Sequence, residues 1–238
     1  MNKCVPFLFT VMYLVACHSI KSPNNCLGSN TPKTKQIIKN IPLDLRGNPT
    51  LFEHQKQSDS MIGLCAIDNG FQDLQIRINY GFHSDSIQTM VIKKENGEHS
   101  ALFYTYKVGL DKNGGSKIDY IAITTKKPKS GWESFLFRLF SFDLMTLPDK
   151  TSLNNYPPDL TFDGVTVQIA TPDSFRIYNY IDVSKARETV PEAKKMENIL
   201  LLIEEEFNFK RIDSSDSVRK KIIEVPFEYG PIQVDSSH

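Results

Sequence analysis

Histidine is scarce in this chain, with five residues in 238, at positions 18, 54, 83, 99 and 238. No two stand at the His-Glu-x-x-His spacing that sets a pair of imidazoles on one helix face for a hydrolytic zinc ion. No Gly-x-Ser-x-Gly element presents a nucleophilic serine on a strand-to-helix turn. Gly109 and Gly114 stand at the opening spacing of a phosphate loop, but Gly115 fills the place where a lysine is needed ahead of Ser116, and a strand rather than a helix is expected to follow. A hairpin turn is expected there instead. Neither sign of charge is in excess, since 28 Lys and Arg residues face 28 Asp and Glu residues. Such neutrality leaves no electrostatic footprint for a nucleic acid. The short charge runs at 126–129, 204–206 and 219–221 read as solvated surface. An Asn-x-Ser/Thr acceptor is also missing, because Pro49 disqualifies Asn48 and Thr50. The nearest approach to a catalytic set is Glu53 with His54, His83 with Asp85, and Asp182, which could meet only through the fold. No catalytic residue, metal ligand or cofactor is assigned from the sequence.

What is present organises one domain. Leu74, Ile76, Ile78, Tyr80 and Phe82 alternate with Gln75, Arg77, Asn79 and Gly81, which is the period of a half-buried strand. Residues 87–94 follow, Asn96-Gly97 signals a tight turn, and 100–108 return as its second arm. Asn113-Gly114-Gly115 turns again into 118–125, giving an antiparallel meander of about four strands. Further on, Asp163-Gly164 opens Val165, Val167 and Ile169, and residues 171–174 turn the chain into a strand over 175–181.

Two helices are expected. Ser130 and Glu133 stand at capping-box spacing ahead of Trp132, Phe135, Leu136, Leu139 and Phe140, one apolar stripe that Phe137 and Phe142 widen until little of the helix faces water. Thr189 and Glu192 repeat the box, Pro191 fits the first turn, and Met196, Ile199, Leu200, Ile203 and Phe207 form a second stripe. The expected fold is α+β, an antiparallel sheet with two amphipathic helices packed on one face. The domain spans 38–212, and 213–238 is a C-terminal extension in which 218–225 could add an edge strand.

Residues 1–17 set the address. Lys3 gives a positive start, an apolar run follows, and Leu14-Val15-Ala16-Cys17 closes it. The run is short of the roughly 20 residues that a transmembrane helix needs, and its layout is that of a removable secretory signal over 1–16. Leu14 is too large for the small residue that an ordinary signal wants three places before the cut. The last four residues resemble the lipobox of bacterial lipoproteins, which implies acylation (palmitate among the chains) at Cys17. Residues 17–37, rich in Ser, Asn, Pro, Thr and Lys, then act as a flexible tether with a reach on the order of 25 Å. His18 and Ser19 carry no acidic charge, which by resemblance to enteric lipoproteins implies the outer membrane. The order of elements over 130–210 also resembles uncharacterised small bacterial envelope proteins, a resemblance that implies fold and location only.

In an oxidising periplasm Cys26 and Cys65 could pair and close a loop of about 40 residues, worth roughly 4 kcal/mol. Alternatively, Cys65 is a small buried hydrophobe within 61–67. Alternation places Arg176, Tyr178 and Tyr180 on one strand face, of the composition that dominates contact surfaces for a protein or glycan, unless helices cover it. The function expected is a membrane-anchored, non-enzymatic binding or structural lipoprotein of the envelope. An immunity-type lipoprotein that blocks a toxin and a periplasmic hydrolase are the alternatives.

Overall fold

In the computed structural model the described residues are 36–81, 86–157 and 164–211. Seven strands form one mixed, mostly antiparallel sheet in the order β1-β7-β6-β2-β3-β4-β5. The strands are β1 (Ile38–Asn40), β2 (Leu74–Tyr80), β3 (Ile87–Glu95), β4 (Glu98–Leu110), β5 (Ser116–Lys126), β6 (Gly164–Ala170) and β7 (Ser174–Ile181). Four helices accompany them among the described residues, α1 (Thr50–Met61), α2 (Trp132–Ser141), α3 (Val183–Ala186) and α4 (Pro191–Phe207). The α+β class is therefore as the sequence implies. The sheet is not wholly antiparallel, because β1 runs parallel to β7 with Ile38 opposite Ser174 and Asn40 opposite Arg176. Residues 218–225 lie outside the described residues.

The meander forms where its turn chemistry directs. Asn96 and Gly97 both take positive φ, 52° and 82°, the pair of left-handed conformations that matches a two-residue loop to the twist of its strands. The register then runs from Glu95 opposite Glu98 to Ile87 opposite Tyr106. Central β2 joins the two halves, pairing with β3 on one side and β6 on the other. Its alternation suggested one wet face, yet every residue from Gln75 to Tyr80 is buried. The reason is α1, a helix the sequence did not announce, which covers the polar face.

On the opposite face, Ile76 and Ile78 of β2, Met90 and Ile92 of β3 and Val167 of β6 share one apolar cluster with Phe135 and Leu139 of α2 and Met196, Ile199, Leu200 and Ile203 of α4. Only Phe135 and Leu139 of α2 are fully buried, and Phe137 is 78% exposed. The aromatic run is thus a narrower stripe than expected, and α2 keeps an open face. Neither capping box forms. Gly131 is the N-cap of α2, and the Ser130 N–H donates instead to Glu206 of α4 at 2.8 Å. Val190 precedes α4 without a side-chain cap, and Pro191 supplies the first-turn conformation. Asn208 in the left-handed region ends that helix. No helix among the described residues is long and apolar enough to cross a membrane.

Candidate functional site

The polar face of the sheet gathers the most concentrated chemistry. α1 begins after a loop built on Asp44, whose carboxylate accepts bonds from the Arg46 and Asn48 N–H groups and the Thr50 hydroxyl at 2.6–2.9 Å. Those bonds, the Thr50 hydroxyl first, hold its pKa below the ordinary carboxylate value. From there α1 lays Phe52, Gln55 and Asp59 against the strands, the i, i+3, i+7 positions of one helix face. Phe52 meets Phe175 edge-on at 5.7 Å. Asp59 meets Arg77 of β2 at 2.6 Å, and Gln168 of β6 donates to the same carboxylate oxygen at 2.7 Å. Gln55 donates to the other oxygen at 2.9 Å. Arg77 also donates to the Cys65 carbonyl at 2.5 Å. Gln75, with its amide oxygen turned toward the guanidinium, accepts from Arg77 Nε at 3.1 Å and Nη2 at 3.3 Å. Beside them Thr89 donates to Asn79 at 2.6 Å.

A cavity of about 210 Å³ opens between α1 and residues 63–68, with Lys56, Asp59, Ser60, Asp68, Arg77 and Gln168 among its polar lining. The Lys56 ammonium stands 5.6 Å from the Phe52 ring centre. Asp59 and Arg77 turn their hydrogen-bonding groups on each other and on fixed amides. A carboxylate held by three donors is built for geometry rather than for proton transfer, which needs a lone pair aimed at a reactant. Burial pushes the nearby Tyr106 phenol up to about 12, against the Thr89 hydrogen bond that lowers it. Among the described residues no group of three or more His, Cys, Asp or Glu side chains could hold a metal ion.

The face carrying Arg176, Tyr178 and Tyr180 is not a contact surface. Both tyrosines are buried in the apolar cluster. Tyr178 donates to the Leu144 carbonyl and Tyr180 to the Pro148 carbonyl, each at 2.7 Å. Arg176 donates to the Met145 and Leu147 carbonyls and lies over the Tyr178 ring at 4.9 Å. Asp149 accepts from the Asn179 N–H at 2.8 Å and caps a short 3-10 turn at Lys150–Ser152. The three side chains therefore clamp the segment that leaves α2, whose carbonyls find no partner within a helix. Burial raises both phenol pKa values well above the ordinary range.

The remaining sequence candidates lie on separate elements where they are described. Glu53 and His54 sit on the exposed side of α1, Asp182 is the left-handed residue before α3, and His83 and Asp85 lie outside the described residues. His99 stacks on Trp132 at 5.5 Å. Cys65 is half-buried and disulfide-bonded rather than a simple buried hydrophobe. Its partner lies outside the described residues, as do Cys17 and Cys26. Sequence reasoning missed the Asp59–Arg77 centre; the three polar residues 75, 77 and 79 within a strong strand were the available signal. No family model, no curated protein and no solved structure matches this chain.

Proposed function

We propose that this chain is a lipoprotein of a bacterial envelope, held to the membrane through acylated Cys17, with a non-enzymatic binding or structural role. The observation that carries the reading is Leu14-Val15-Ala16-Cys17 at the end of a short apolar run with a positive start. Two acyl chains give stable attachment where one is marginal. The neutral charges at His18 and Ser19 favour the outer membrane by resemblance to enteric lipoproteins. The tether over 17–37, and a bridge between Cys26 and Cys65, belong to the same reading. In it α2 and α4 form one layer on the apolar face of the sheet, supported by the cluster they share.

The test is Cys17→Ser. The substituted protein is expected to stay unprocessed or to leave the membrane fraction, and to take up no labelled fatty acid. Normal cleavage and membrane retention of that variant would remove the basis for the reading.

A further inference from the structure

Several large apolar side chains stand exposed within the first ten described residues. Ile38 is 71% exposed, Leu43 is 56% exposed, and Leu45 is fully exposed. The two leucines do not hang from a slack chain. The Asp44 N–H donates to the Asn48 carbonyl at 2.8 Å and the Gly47 N–H returns to Asp44 at 2.9 Å, while the Asp44 carboxylate takes Arg46 N–H, Asn48 N–H and Thr50 Oγ1. Gly47 sits at φ 79° with open space around it, a conformation that a side chain at this position would strain. The loop thus closes on its one acid and turns Leu43, Leu45 and the exposed Arg46 outward. This is the composition of a membrane-interface contact, apolar side chains flanked by a cation.

We propose that the loop bearing Leu43, Leu45 and Arg46 docks on the phospholipid surface to which Cys17 is anchored, the leucines entering the interface and Arg46 meeting anionic headgroups. The inference rests on the lipoprotein reading above. The occupant follows from where the chain outside this loop ends. Cys17 precedes Ile38 by about 20 residues, and with Cys26 bridged to Cys65 the free tether shortens to 17–26, a coil reach on the order of 17 Å, so the domain and its exposed apolar loop are held close to the bilayer. Tethering turns docking into an intramolecular event at about millimolar effective concentration. Under that condition two leucines suffice, although they would not hold a free protein. The loop is already folded, so docking orders nothing further.

The experiment uses the acylated mature protein in vesicles of phosphatidylethanolamine and phosphatidylglycerol. It carries Leu45→Trp with Trp132→Phe, and the wild-type chain, whose single tryptophan is Trp132, is measured in parallel. Docking predicts blue-shifted emission from position 45, quenching by doxyl groups near the lipid headgroup, and weaker quenching of the wild-type chain. Adding Leu43→Ser is expected to lower the docking equilibrium constant by about tenfold. Emission at the aqueous position, with no lipid quenching while the protein floats with the vesicles, would overturn the docking and leave the anchor standing. Protein that carries no acyl mass and does not float would overturn both. Burial of position 45 that depends on protein concentration and not on lipid would assign the loop to a second copy of the chain, and would overturn the proposal too.

Discussion

Asp59 and Arg77 meet at 2.6 Å with side chains only 4% and 2% exposed. Ions so withdrawn from water lose several kcal/mol of hydration each, and regain it only through near-ideal partners. Removing one member strands the other. Asp59→Asn is expected to cost about 3 to 5 kcal/mol, whereas Asp59→Leu combined with Arg77→Met should cost less than that single change. Urea midpoints of the three proteins decide it, and a double variant weaker than Asp59→Asn would contradict the account.

The two phenylalanines of α2 should separate cleanly. Phe135 is fully buried and Phe137 is 78% exposed. Phe135→Ala is expected to lose about 3 to 5 kcal/mol, and Phe137→Ala to stay within about 0.5 kcal/mol of the parent. Chemical denaturation of both gives the comparison. Equal losses would mean that α2 is rotated from the position described.

Tyr178 and Tyr180 hold the carbonyls of Leu144 and Pro148. Tyr178→Phe and Tyr180→Phe should each cost about 1 to 3 kcal/mol, because a buried carbonyl then goes unpaired. Replacing both by alanine should cost several times more, since each lost buried aromatic is worth about 3 to 5 kcal/mol. Thermal unfolding reads both series. An unchanged melting temperature in the double alanine variant would restore this face as a contact surface.

Alkali should unfold the protein through its phenols. Burial raises the pKa of Tyr80, Tyr178 and Tyr180, and that of Tyr106 to about 12, from an ordinary 10.0. A neutral phenol favoured by the fold contributes stability that is complete below the unfolded value and is lost as pH climbs toward the folded one. Stability should be insensitive to these groups below pH 10.0 and fall above it. Tyrosinate absorbance should rise together with the loss of circular dichroism. Full ionisation of these tyrosines in a still-folded protein would contradict the burial.

The sequence disclosed the apolar half of this molecule more fully than the polar half. Strands β2 to β7 and the stripes of α2 and α4 follow from periodicity, because each places its apolar residues on one face. α1 escaped that test. Two of the three residues it buries are Gln55 and Asp59, so no apolar period marks it, and its partners Arg77 and Gln168 arrive from strands far apart in the chain. The same blindness made Gln75, Arg77 and Asn79 look like a wet face. Capping failed for a related reason. Glu206 reaches the start of α2 from another helix and displaces the local bond to Ser130. The tyrosines of β7 were legible as a face, but composition could not tell whether carbonyls from the segment after α2 would cover it.

The place of β2 at the middle of the sheet also sets an order in time. Its pairing with β3 is local, through Tyr80 opposite Gln88, but its other neighbour is β6, with Ile76 opposite Ile169. At roughly 5 to 20 residues per second, synthesis takes about 5 to 20 s to supply that second partner. Until then the meander can exist as a half-built sheet whose open edge is its own future centre, an edge of the kind that pairs with other chains. Slower elongation prolongs that interval. The yield of folded protein should therefore respond to synthesis rate in ways that the stability of the finished fold does not foretell.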